Sequence, residues 1–456
     1  MISFSLALLL GGCAPQDHGV SDVAFTHSPH VLGSATISWT SESIGDGYVE
    51  ITSPNGQIYA PLSTQGKTSH DVEVRGLPLG RSLTYTVHTD TTSGDEFFSA
   101  LRGVLMPGPD SLGIPHPALE VYEPSLATVN GYVLISLNHK NGTSVPAILD
   151  RFGDIVWAPL APFSTLLSSA KLTEQGGVVA MQNLMGSPKA KGCIVTNLDG
   201  TQMTDSKPYN GHHDALVLGD NIISLGFEHG VVLVDENLVD VGSDTITSTP
   251  IGGGSNDTST LFSFKDHYAA PWRPCEHYDG DAYNIVGVRD FTHTNSLVNF
   301  EDHFYIMSLH LDMVLKIDGT DIVWQFGGDL SDYTLKNSDN WFSHGHFSQV
   351  LPEGLLVFDN GGHREPNTSR VVEYALDEQS MTAEAIWIYE QPEGLNVNIL
   401  GDAHRMPNGN TLIAWSTLGE LAEVTPDGEI AWRVGVGDGH SIVRASYIQD
   451  LYGPFM

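Results

Sequence analysis

Histidine is as abundant in this chain as lysine and arginine together, 20 against 20. Neutral imidazole is also the side chain best suited to nucleophilic and proton-transfer chemistry near neutral pH. Four histidine groups stand just ahead of apolar, strand-forming runs: His212-His213-Asp214, Thr292-His293-Thr294-Asn295, His344-Gly345-His346 and Asp402-Ala403-His404-Arg405. One histidine alone is more often a satisfied polar residue than a catalyst. Four at a common phase of a repeat would converge on one place, and that pattern indicates a binding or active site. Two kinds of chemistry are open to them. An imidazole could attack an electrophilic centre while neighbouring imidazole and amide N–H groups hold the developing anion. Alternatively, histidines and Asp214 could gather zinc, copper or iron for a metal-dependent hydrolase or lactonase. No His-x-x-x-His spacing is present, but ligands spread over several repeats would not need one.

The elements that must position these residues also repeat. An apolar strand opened by a Gly- or acid-rich turn occurs at 130–136, 176–181, 219–225, 301–307, 352–358 and 407–413. A further strand that often ends in tryptophan follows, as at Trp157, Trp324, Trp387 and Trp432. Six copies, mostly about 45 to 55 residues apart, predict an all-β fold, a six-bladed β-propeller over 110–456. Each tryptophan should pack between adjacent blades. Residues 242–290 read as an insertion or a degenerate seventh blade. Trp272 and Trp341 are candidates for an aromatic mouth, with blade packing as the plainer reading. Asp279-Gly280-Asp281 reads as a solvated turn rather than a full calcium loop.

Ahead of the repeats, residues 23–105 alternate in the strand manner. An early Trp39 and the late strand Leu83 to His88 predict a small fibronectin III-like β-sandwich. Pro107-Gly108-Pro109 marks the linker. The apolar run Ile2 to Leu10 ends in Leu10-Gly11-Gly12-Cys13, which looks like a lipobox, although no Lys or Arg precedes it. It predicts a signal peptide over 1–12, lipidation of Cys13 and a tether over 13–22. The expected location is a membrane-anchored lipoprotein in the periplasm or at the cell surface, with the outer membrane favoured. In an oxidising compartment Cys193 and Cys275 could pair or stay as separate buried thiols.

The chain has 456 residues with a formal net charge of −35. Such a surface repels polyphosphate, so nucleic-acid binding and charge-driven adhesion to an anionic bilayer are excluded as readings. An anionic substrate would need a local pocket with its own donors. No glycine-rich phosphate loop sits in a strand–helix context, so no nucleotide cofactor is expected. A non-catalytic propeller lipoprotein that binds a ligand is the remaining alternative.

Several runs resemble the bacterial arylsulfate sulfotransferase family. They are Asp290 to Ser296, Val314 to Asp318, Trp324 to Gly328, His346 with Leu351 to Gly361, Ser369 to Tyr374, and Pro407 to Ile413. The resemblance implies a six-bladed propeller behind a small β-sandwich. It also implies sulfuryl transfer from an aryl sulfate donor to a phenolic acceptor through a sulfohistidine, in a ping-pong mechanism with no cofactor and no metal. A homodimer is possible on this reading. It places the nucleophile at His346, the sulfuryl-binding pair at His293 and Asn295, and a channel histidine at His212-His213, with His404 as another candidate for proton transfer. Where the family has an arginine, this chain has Leu309 followed by His310. His310, Arg364 or Arg405 would have to compensate, and His404 stands where the family tends to have a neutral polar residue.

Overall fold

The computed structural model describes residues 16–61, 65–114, 116–128, 131–161, 163, 165–183, 192–234, 237–268, 287–337 and 340–453. Cys13, Trp272, Cys275 and the 279–281 turn lie outside them. The chain divides into two compact units, Met1–Gly108 and Pro109–Met456. Among the described residues no helix is long and apolar enough to cross a membrane.

The first unit is one antiparallel sheet curled back on itself, so that its two halves face each other as layers. One 20-residue strand, Ser34–Ser53, runs through the whole of it. The first half of that strand pairs with Val20–His27 and Lys67–Arg75, and the second half with Ser82–Thr91 and Gly56–Ile58. Register shifts near residues 40–45 mark the bend. Alternating residues Ile37, Trp39, Val49, Ile51, Val72, Val74, Leu83 and Val87 fill the fold of the curl. Inside it, the Trp39 indole N–H donates to Thr89 Oγ1 at 2.9 Å and its ring stacks on His70.

The second unit is a six-bladed β-propeller. Blades 2 to 6 begin at the axis with Leu166–Leu172, His212–Leu218, Thr294–Phe300, Phe347–Leu351 and Asp402–Arg405. Blade 1 closes the ring in two places. Its axial strand is His440–Ile448, paired with Tyr132–His139, while Ala118–Tyr122 adds a fifth, outermost strand to blade 6. The strand that opens each sequence repeat is therefore second from the axis, and the four histidine groups singled out above lie on the axial strands or just ahead of them. Apolar clusters fill the spaces between successive blades, as between blades 3 and 4 and between blades 4 and 5.

The tryptophans act as expected. Trp157, Trp387 and Trp432 donate their indole N–H to Leu198 O, Pro426 O and Arg151 O at 2.7, 2.9 and 2.8 Å, and Trp324 donates to the Glu378 carboxylate at 3.1 Å. Each acceptor lies in the turn between the two outer strands of the next blade. Trp341 packs against Phe326 between blades 4 and 5.

Residues 242–268 are not an insertion. Asn221–Val234 and Asn237–Pro250 form a hairpin of 14-residue strands, and Ser259–Ser263 completes blade 3. The long hairpin contributes to the wider repeat spacing there. Cys193 is a free, buried thiol in blade 2.

Candidate active site

The axial strands of blades 3 to 6 share a distortion at their N-terminal ends. His213, His293, His344 and Leu400 all have left-handed backbone, with φ of 49, 43, 53 and 65°. Register shifts at His212/Ala215 and Thr294/Ser296 accompany two of them. Such a conformation costs a non-glycine residue about 1–3 kcal/mol and persists where the surroundings impose it, commonly at functional sites. Relative to this residue, His213 and His293 are equivalent. His346 and Asn295 both fall two positions later, as does Asp402, and His404 falls four later. The histidines therefore share a region of the repeat but not a single structural position.

His346 is buried beside the axis. Its Nδ1 lies 2.9 Å from Asn360 Oδ1. The orientation of that amide is fixed, because Asn360 Nδ2 donates to Val397 O at 2.5 Å and to Leu400 O at 2.8 Å. Oδ1 must then accept, so His346 Nδ1 carries the proton and Nε2 carries the lone pair. Among the described residues Nε2 has no hydrogen-bond partner. Burial, with the charges of His293 and Arg444, depresses the His346 pKa to about 3, although its hydrogen bonds work the other way. His346 is thus a neutral imidazole in one tautomer.

His293 has the opposite character. Its Nδ1 lies 2.5 Å from Asp290 Oδ2. Burial opposes its charge, but the Asp290 carboxylate and, more weakly, Asp244 override that and raise its pKa above the ordinary value. Its ring sits 4.9 Å from those of both His213 and His310. His213 is pushed well below the ordinary value by burial and by the neighbouring histidines. It lies 2.8 Å from His212, Nδ1 to Nδ1. On its other side His212 Nε2 reaches Asp244 at 3.2 Å and Gly226 O at 3.1 Å. His310 is held down to about 4 by burial and by His293. The Asn295 side chain donates to Gly345 O at 3.2 Å.

The structure brings His212, His213, His293, His310, Asn295 and His346 together. It places the other sequence candidates differently. His404 pairs with Asp402 at 3.2 Å and packs on Phe347. Arg405 bonds Glu373, Gly409 O and Thr411 and covers Trp387. Arg364 bonds Thr368 O and lies 3.5 Å from Asp359. Leu309 is buried, and its N–H donates to His293 O. Asp214 accepts from Lys171 Nζ at 2.6 Å and from the Leu297 N–H at 2.9 Å, joining blades 2, 3 and 4.

Sequence reasoning missed Asn360, Asp244, Asp290, Lys171 and Arg444. Asn360 and Asp290 fall inside runs that carry the family resemblance, and that was the only available signal. Two groups of three could hold a cation: Asp290, His293 and His310, and separately Asp312, His344 and His363. In each, one ligand atom per residue lies within 4.8 Å of the others.

The propeller axis thus holds a tautomer-locked neutral histidine beside one whose pKa is raised, the kinds of group that histidine-based transfer or hydrolysis uses. The arylsulfotransferase (ASST) family profile matches residues 116–443, so the chain belongs to that family. It is accordingly a sulfotransferase, and membership suggests activity on aryl sulfates. No curated protein matches it in sequence. Among solved structures it is similar to a protein of unknown function from Bacteroides caccae, at 14% identity and TM-score 0.42, covering 70% of this chain and 99% of that one. It is also similar to virginiamycin B lyase from Staphylococcus aureus, at 11% identity and TM-score 0.30, covering 58% and 68%. A third is AztD from Citrobacter koseri, at 9% identity and TM-score 0.34, covering 89% and 99%. At these levels the likenesses carry nothing further about this chain.

Proposed function

We propose that the protein moves a sulfuryl group from an aryl sulfate ester to a phenol in two steps, through a sulfohistidine at His346, without a nucleotide donor. The observation that carries this reading is the Asn360 lock, which keeps the His346 lone pair on Nε2. In the first step that lone pair bonds to sulfur, the S–O(aryl) bond breaks, and the phenolate leaves with the electron pair. In the second, the acceptor phenol oxygen attacks sulfur, the N–S bond breaks, and the lone pair returns to Nε2. Splitting the transfer this way lowers each barrier.

The raised pKa of His293 suits it to give a proton to the departing phenolate and then to take one from the acceptor, with Asp290 orienting the ring. In its charged form it also attracts the sulfuryl oxygens. His213, His212 and Asp244 form a second chain along which a proton could move, and the Asn295 amide adds a donor. Intact-protein mass after mixing with 4-nitrophenyl sulfate tests the scheme. Addition of one sulfuryl group, removed by phenol and missing in His346→Ala, is the expected result. Steady turnover with no adduct would sink it.

The Asp290, His293 and His310 group gives a metal-dependent hydrolase reading a definite location. Loss of activity with EDTA and rescue by zinc would favour that reading instead. We further propose that the chain is exported and lipidated at Cys13. Unchanged processing and membrane fractionation of Cys13→Ser would refute this.

A further inference from the structure

Two arginines are buried among the described residues, and their surroundings differ. Arg370 pairs with Asp359 at 2.7 Å. Arg444, only 3% exposed, has no carboxylate within ion-pair distance among the described residues. It rises from the axial strand of blade 1 and reaches across the axis. Nη1 donates to Gly401 O at 2.9 Å, and Nη2 donates to Asn295 O at 2.5 Å and His346 O at 3.2 Å. Those carbonyls belong to blades 6, 4 and 5. The guanidinium rests over the Phe347 ring at 5.0 Å, and its Nε–H is buried without an acceptor among the described residues. Asp402 feels its charge but is already engaged by His404, Ala403 N–H and Ala445 N–H.

Lys171, also on an axial strand, is neutralised by Asp214. Gly401 is adapted to this arrangement. Its φ is +116°, and a Cβ there would come within 2.1 Å of the Phe358 ring. Its carbonyl can meet Arg444 only because the residue is glycine.

We propose that Arg444 is the positioning residue and fixed counter-charge of the sulfuryl pocket. Its fork fixes the backbone of Asn295 and His346, while its charge, held in no ion pair among the described residues and felt by Asp402, adds positive potential beside them inside a protein of net charge −35. A buried cation that no direct ion pair holds is costly, and an anion bound beside it offsets that cost. A singly charged sulfate ester supplies that anion, whereas the neutral acceptor phenol gains nothing from it. This assignment rests on the reaction proposed above, and it separates the two substrates by charge.

Arg444→Met should raise KM for 4-nitrophenyl sulfate by roughly ten- to a hundredfold. It should leave KM for the phenol within about twofold, since a neutral ligand gains little from a fixed charge. Arg444→Lys, which keeps the charge but loses the fork, should restore the donor KM to within about threefold while kcat stays depressed. A merely structural arginine would move both KM values together, and that result, or an unchanged donor KM, overturns the proposal. If Arg444→Met fails to fold, Arg444→Lys decides by the same comparison. Calorimetric binding of inorganic sulfate needs no turnover. Sulfate bound by the unaltered chain and at least about tenfold more weakly by Arg444→Met supports the assignment even if 4-nitrophenyl sulfate is not turned over. In that case only the proposed reaction fails, whereas equal sulfate binding by the two proteins overturns the assignment.

Discussion

The rim and the axis of the propeller are built from the same strands by different rules. At the rim, four blade junctions repeat one device, a tryptophan N–H reaching the outer turn of the next blade. At the axis almost nothing repeats. Blade 1 offers Arg444, blade 2 Lys171, blade 3 a His-His-Asp run, blade 4 His293 and Asn295, blade 5 His346 and blade 6 Asp402 with His404. Left-handed residues bend the strand ends there, and charges are buried. Periodic sequence therefore reports the scaffold, and departures from periodicity report the chemistry. Substitutions should divide accordingly, with stability effects at the rim and rate effects at the axis.

The largest rate effect should come from His346→Ala. Removing the nucleophile should slow 4-nitrophenol release by roughly three to six orders of magnitude, because the remaining groups cannot act without it. His293→Ala should cost about a hundred- to a thousandfold in kcat, the scale for removing one charged transition-state partner. Circular dichroism should show the fold retained. A smaller loss, roughly tenfold to a hundredfold, is expected for Asn360→Ala, which leaves only the 3.3 Å contact with His344 O to hold the His346 tautomer. Its loss should appear in kcat more than in KM.

The pH profile sharpens the same contrast. His293 must hold its proton, and its pKa is raised, so the rate should fall as pH rises through that value. His346 ionises only near pH 3, so the acid side should stay flat down to that region unless the fold fails first. His293→Gln should remove the alkaline fall. The His293–Asp290 pair should also add stability below about pH 6.5, the unfolded imidazole value, and lose it as pH rises through the folded one. The smallest effect belongs to the rim. Trp432→Phe removes one junction hydrogen bond and should lower unfolding free energy by about 1 kcal/mol, read in urea, with kcat unchanged.

These expectations show what the sequence could reveal. Strand-opening turns and Trp-ending strands were visible because each blade buries the same face, and that fixed the blade number. The gathering of His213, His293 and His346 was legible only as a shared region of the repeat, not as one repeated position. In the N-terminal unit alternation reported the buried face, whether the layer beside it is a second sheet or the same sheet bent back. The 242–268 region was misread because a hairpin of two 14-residue strands exceeds the usual strand length. Arg444 was hidden more deeply. It lies on a strand whose partner, Tyr132–His139, is near the other end of the propeller sequence, and no local pattern marks a strand that closes a ring.

That closing strand ties the chemistry to the order of synthesis. During translation, the blades carrying His213, His293 and His346 emerge well before residues 440–448. Long-range pairings of this kind are also slow to form. Until the strand docks, the histidines lack the guanidinium that fixes the backbone of two site residues. An incompletely assembled chain would thus carry an idle pocket, and the onset of activity would mark the moment at which the two ends of the propeller meet.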